Sequence, residues 1–212
     1  MKNCNLKSEN GRSMIEMLGV LAIIGVFSVG GIAGYSKAMI KYKINKTIEQ
    51  ISLIAANVQA FYGTQKDFAG LSGRSNIIKK AKLVPEEMLE YNTNGTIKQI
   101  NNEFGNTVEL DTLNNDKEFY IEYRFVSQEA CIELATQDWS SITGSGLRYV
   151  AVATDEDCVT GLYSGPTTGV GATDNSTYIV AGPNSAITEI SIDQAANICA
   201  SGNYFFAIGF KK

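Results

Sequence analysis

Four cysteines, one isolated glutamate and a complete lack of histidine delimit the chemistry open to this chain. Without an imidazole there is no base to activate a serine or cysteine nucleophile, no histidine-containing zinc site and no histidine pH switch. Cys4, Cys131, Cys158 and Cys199 form no CxxC pair, which argues against a zinc site. They can supply one disulfide in an oxidising compartment, and Cys131, Cys158 and Cys199 allow three single pairings; buried free thiols are the other reading. Asp155, Glu156 and Asp157 cluster oxygens of the kind calcium prefers, but they lack EF-hand spacing and read as a solvated acidic loop. Asn175-Ser176-Thr177 fits a glycosylation acceptor pattern of little weight, and Trp139 reads as a packing residue. No nucleophile–base pair, phosphate loop or paired-acid motif is present, so neither a cofactor nor a metal is expected. The odd residue is Glu16. It stands at the lip of Met17–Ser36, a run of 20 residues without a charged side chain, four residues after Arg12. An unpaired carboxylate is costly in an apolar medium, about 2.5–3.5 kcal/mol at mid-membrane on the insertion scale and less near the edge.

The element that positions Glu16 is a helix. A run of about 20 apolar residues matches a bilayer core of roughly 30 Å. A secretory signal peptide has a shorter apolar region and a small-x-small cleavage site behind it. Here the helical pattern continues instead. Ile40, Ile44, Ile48, Ile51, Ala55, Val58 and Phe61/Tyr62 recur at spacings of three and four, the stripe of an amphipathic helix. No proline precedes Pro85, so one helix over residues 13–62 is expected, about 75 Å long at the standard rise. Its first half is apolar all round and its second half on one side only, so the second half needs a protein body to cover it.

Charge divides the chain the same way. Residues 1–46 hold seven Lys/Arg and two acids; residues 47–212 hold eleven Lys/Arg and twenty acids. A basic end and an acidic body suit a membrane-proximal segment followed by a soluble head. An acidic head is a poor partner for nucleic acid, whose affinity comes largely from phosphate neutralisation, and none is expected. Lys2, Lys7 and Arg12 before the apolar run against Lys37, Lys41, Lys43 and Lys46 after it leave orientation undecided by charge.

Within the body, β-branched and aromatic content predicts strands at residues 118–125, 147–154 and 203–210, the first with Phe119, Ile121, Tyr123 and Phe125 on one face. Ser127 is placed to cap a short helix through Gln137, and Ser191 with Gln194 forms a capping box for residues 192–200. Residues 155–190 read as long loops with one strand near residues 176–182.

The stretch GRSMIEMLGVLAIIGVFSVGGIAGY, residues 11–35, resembles the N-terminus of type IV pilins: a Gly, an acid five residues later, then a long apolar run. The resemblance implies a cytoplasmic leader over residues 1–11, cleaved between Gly11 and Arg12 by a membrane prepilin peptidase. It also implies an N-methylated Arg12 and Glu16 as the charge that pairs with a neighbouring subunit during assembly. Arg12 departs from the apolar residue usual at that position, and the prolines that bend this helix in many relatives are absent; Gly25, Gly30, Gly31 and Gly34 are its weak points instead. Residues 104–136 and 191–210 are similar to the type IVb pilin head, and this likeness implies a Cys131–Cys199 disulfide with Cys158 left over.

The expected fold is α+β: a long N-terminal helix packed on an antiparallel-sheet head. Its divisions are a leader (1–11), a transmembrane and assembly half of the helix (12–36), an amphipathic half (37–62) and a globular head (63–212). The expected function is that of a non-enzymatic filament subunit. Its partners would be copies of itself, the peptidase, the inner membrane and the pilus assembly machinery. The head would be periplasmic in the precursor and extracellular in the pilus. A pseudopilin of a secretion machine and, more remotely, a membrane-anchored enzyme are the alternatives.

Overall fold

Helix α1 runs unbroken from Met14 to Tyr62, as the absence of proline and the long apolar run dictate. The structure is a computed structural model that describes residues 14–143, 146–153, 177–181, 191–200 and 204–212. It divides into two units, residues 1–41 and 42–212, within which α1 contributes to both.

In the first unit, residues 14–38 of α1 are exposed on every side. Val26, Phe27 and Val29 are 75%, 76% and 72% exposed, values that water would not tolerate over a whole surface of this kind. The hydroxyls on this surface satisfy themselves: Ser28 Oγ donates to the Ile24 carbonyl (2.8 Å) and Ser36 Oγ to that of Ile32 (3.0 Å). Among the described residues, α1 is the one helix long and apolar enough to cross a membrane.

The second unit is built on a seven-stranded antiparallel sheet. Its strands are β1 (Leu89–Tyr91), β2 (Ile97–Asn101), β3 (Thr107–Leu113), β4 (Glu118–Val126), β5 (Leu147–Ala153), β6 (Thr177–Ala181) and β7 (Tyr204–Lys211), in the order β1-β2-β3-β4-β7-β5-β6. The last strand in sequence is therefore central in space. β7 pairs with β4 (Phe119 opposite Phe210, Ile121 opposite Ile208) and with β5 (Val150 opposite Ile208, Val152 opposite Phe206). That double pairing suits a strand buried at all residues from Tyr204 to Phe210. Short helices α2 (Asn76–Lys80), α3 (Gln128–Ala135), α4 (Trp139–Thr143) and α5 (Ile192–Ile198) complete the described elements, with a 3-10 turn at Glu86–Met88.

One sheet face meets the second half of α1. An aromatic chain runs from Tyr62 to Phe68, Phe119 and Phe210 with ring centroids 5.5, 4.9 and 4.9 Å apart. Tyr123 reaches up from β4 to donate to Gln50 Oε1 (3.4 Å). The opposite face is also buried, by Tyr120, Tyr149, Ala151 and Ala207 with Leu113. Gly209 is required there: a Cβ at that position would lie 2.3 Å from the Tyr149 ring.

Two expectations need correcting. The buried stripe of α1 is Ile44, Thr47, Gln50, Ile51, Ile54, Ala55, Val58 and Tyr62; Ile40 and Ile48 are half-buried, and Phe61 is turned out to 47% exposure. Gln50 enters because both ends of its amide are bonded, the oxygen accepting from Tyr123 and the nitrogen donating to Glu103 Oε1 (2.7 Å). Phe125 does not share a face with Phe119, Ile121 and Tyr123. The register of β4 on β7 slips between Tyr123 and Val126, Phe125 takes a φ of 53°, and its ring packs on Phe205 of the opposite face (5.1 Å). An inserted bulge residue reverses the alternation that a regular strand would keep.

Candidate functional site

Of the assembly features expected at the N-terminus, the described residues contain Glu16 and the apolar run behind it, both in the first half of α1. Glu16 lies in the first turn of the helix as described, exposed, and makes no ion pair among the described residues. The acid and Lys37 bracket residues 17–36, and at 1.5 Å per residue that interval spans about 30 Å, the thickness of a hydrocarbon core. Gly11 and Arg12 lie outside the described residues, as do Cys4, Cys158, Asp155, Glu156 and Asp157 and the first two residues of Asn175-Ser176-Thr177.

The head is held together by a covalent staple. Cys131 in α3 and Cys199 at the end of α5 form a disulfide, with Cα atoms 6.0 Å apart and a sequence separation of 68. The local sequence explains how each cysteine is delivered. Ser127 Oγ accepts from Ala130 N (3.2 Å) and starts α3, burying Ala130, Cys131, Leu134 and Ala135 along one side. At the other end Ser191 and Gln194 form the reciprocal capping box, Gln194 N to Ser191 Oγ (3.2 Å) and Ser191 N to Gln194 Oε1 (2.9 Å). In the chain-entropy account a crosslink closing a loop of this length contributes about 4 kcal/mol. Trp139 is a packing residue: it is buried, donates Nε1–H to the Leu134 carbonyl (2.7 Å) and lies 5.3 Å from Phe206.

Two polar seams were not legible in advance. Burial, with the Glu103 charge as a smaller cause, raises the Tyr123 phenol well above its ordinary value of 10.0, so it stays a neutral donor to Gln50. Across β3 and β4, Glu109 stands directly opposite Glu122, a pairing of like charges that is unfavourable by itself. Arg124 resolves it, binding Glu122 Oε1 through Nε (2.7 Å) and Glu109 through its terminal nitrogen, which holds the buried Glu122 carboxylate inside the sheet. The cue was present: three charged residues at alternate or opposed positions in adjacent strands.

A long N-terminal helix with an uncovered apolar half, followed by an antiparallel-sheet head stapled between its middle and its C-terminal region, defines the class: this is a type IV pilin. Residues 37–195 match the bundlin family model, and the chain belongs to the bundlin family. It is 28% identical over 137 residues to the major structural subunit of bundle-forming pilus of Escherichia coli O127:H6, covering 64% of this chain and 68% of that one. The figures are the same for the protein of that description from Escherichia coli O111:H-. Among solved structures, a type IV b pilin from Salmonella typhi superposes with a TM-score of 0.52 at 12% identity, covering 79% of this chain and 99% of that one, a likeness of fold.

Proposed function

We infer that this chain is a structural subunit, major or minor, of a type IV pilus-like filament, and that it reaches the filament through a membrane precursor. The observation that carries the reading is the apolar surface of residues 14–38, exposed on all sides among the described residues. Each large apolar side chain taken out of water is worth about 1.5–3 kcal/mol, so such a surface needs a lipid or protein partner along its whole length. A bilayer supplies the cover first, with residues 12–36 spanning it and the head on the periplasmic side. The packed helices of other copies supply it afterwards. This is the use expected of a subunit whose relatives are described as major structural subunits of a pilus, and no catalytic step enters it.

Glu16 then has two environments. In the bilayer it sits at the edge, where its carboxylate reaches the headgroups. Among packed helices that route closes, and the charge needs a cation at close range because an unpaired buried charge is strongly destabilising. Cleavage between Gly11 and Arg12 by a prepilin peptidase would expose an α-amino group, N-methylated in the mature chain, as that cation on the neighbouring copy. Glu16 thereby sets the register in which copies dock. Arg12, four residues earlier in the sequence, is a competing cation within the same copy.

Mass spectrometry of the mature protein tests the processing: Arg12 is the expected first residue, and an intact Met1 or a cut elsewhere refutes it. Glu16→Ala should leave a membrane-resident monomer that assembles poorly, and normal filaments from that variant would remove the register role. Short fibres confined to the periplasm would assign the chain to a pseudopilus instead.

A further inference from the structure

The outward side of α1 within the head is not the polar surface that an amphipathic helix should present. From Gln50 to Gln65 the sequence has no charged residue. Leu53, Ala56, Ala60 and Phe61, at spacings that share one side of a helix, are all exposed, Leu53 and Phe61 by 46% and 47%. Beyond the strip lies a corner with three lysines beside Asp67 and Asp116. Lys66 and Lys211 are exposed, and Lys212 Nζ donates to the carbonyls of Tyr62 and Gln65 at the end of α1.

A second patch has the opposite character. Ile192, the first residue of α5, is 71% exposed, and among the described head residues it is the one large apolar side chain outside α1 that is so exposed. Asp193 beside it and Glu129 on the disulfide-linked α3 are exposed acids. Residues 125–147 and 191–200 contain no Lys or Arg, so no cation from these segments offsets the two acids.

We propose that the Ile192–Asp193 corner of one copy docks on the Leu53–Phe61 strip and Lys66 of the next copy. The proposal rests on the filament reading above. Each patch supplies what the other lacks: an apolar knob for an apolar strip, and an acid for a base. The two patches are different surfaces of the same chain, so the contact is heterologous, and a heterologous contact that does not close into a ring propagates as an open filament. The contact is small. One knob on a two-turn strip buries a few hundred Å², against roughly 1,200–2,000 Å² for a stable complex. It therefore acts only where packed apolar helices already hold copies at high effective concentration, and its role is to select the angular position of neighbouring heads.

The test uses the full chain in isolated filaments. A photoreactive benzoylphenylalanine is placed at position 192, and filaments are grown from mixed light and heavy isotope-labelled copies. Crosslinks should join position 192 to the peptide containing residues 50–65 of a different copy; crosslinks that fall only elsewhere overturn the proposal while leaving the filament reading intact. Ile192→Asp should lower filament yield about tenfold. Lys66→Glu should lower it severalfold, and Lys66→Glu with Asp193→Lys should restore most of it. Each substitution is at an exposed position, so the monomer should keep its disulfide and its denaturation midpoint. Failure of the double variant to recover overturns the pairing, and a parent chain that forms no filament overturns both readings.

Discussion

The two halves of α1 share a backbone and a bias toward apolar residues, yet they have opposite fates. Residues 14–38 are exposed on all sides, whereas residues 44–62 bury Ile44, Ile51, Ile54, Ala55, Val58 and Tyr62. Helix propensity does not separate them. The first half even carries more glycine, which weakens a helix in water by roughly 0.5–1 kcal/mol per residue relative to alanine. The difference is in what covers them. The second half is covered by the chain's own sheet, through contacts that can be named, and belongs to the folding of the monomer. The first half is left for an apolar medium outside the chain. A substitution's effect should therefore depend on which half it falls in, and the predictions follow from that division.

The largest effect on the head should come from its staple. Cys131→Ala with Cys199→Ala should lower the head's unfolding free energy by about 4 kcal/mol in denaturant titrations, while the helicity and membrane insertion of the first half of α1 stay unchanged. The direct comparison of the halves uses one substitution twice. Ile51→Ala, at a fully buried position, should cost about 3 kcal/mol of head stability. Ile23→Ala, 58% exposed in the first half, should leave the head's denaturation midpoint where it was. A comparable loss from both would break the division.

Smaller effects sharpen it. Arg124→Met should cost about 2 kcal/mol, because it leaves the buried Glu122 carboxylate facing Glu109 without its cation; the half-exposed setting of Arg124 and Glu109 keeps this below a fully buried case. Replacing Glu109 by Gln in the same chain should recover part of that loss. The smallest effect concerns alkali. The Tyr123 phenol is raised above its ordinary 10.0, so its contribution to stability is fully present below that pH and is lost as pH rises above it. The slope is about 1.4 kcal/mol per pH unit for one group, and Tyr123→Phe should flatten the fall between pH 10 and 11 in titrations monitored by circular dichroism.

Much of this arrangement was legible in the amino-acid order, for identifiable reasons. α1 showed itself by period and by the absence of proline, and β4, β5 and β7 by dense β-branched and aromatic runs. The ends of α3 and α5 were readable because a cap is a local bond between a serine and the backbone three residues on. β1, β2 and β3 were not found, since LEY and IKQIN are short and half polar and TVELDTL is interrupted by two acids. Their cue lay in the turns instead: Asn92 through Gly95 and Asn102 through Gly105 each close with a backbone bond, Gly95 N to Asn92 O (2.9 Å) and Gly105 N to Asn102 O (3.2 Å). The bulge at Phe125 was hidden because nothing in EYRFV marks where a strand will take an extra residue. Gln50 and Glu122 were hidden because a buried polar residue is known only by its partners: for Gln50 this is Tyr123, 73 residues away, and for Glu122 it is Arg124, two residues along β4, which also reaches Glu109 on the neighbouring strand. Glu16 was conspicuous on charge alone, but its place in an assembly surface came from the pilin resemblance.

The central claim is that the uncovered half of α1 becomes the core of a filament. Cryo-electron microscopy of fibres sheared from cells producing this chain tests it most directly. Residues 12–36 of successive copies should pack side by side along the fibre axis, with Glu16 of each within ion-pair distance of a neighbour's N-terminal amine and the acidic heads outside. Fibres with residues 12–36 exposed or removed, or a chain found only as a membrane monomer, would contradict the account.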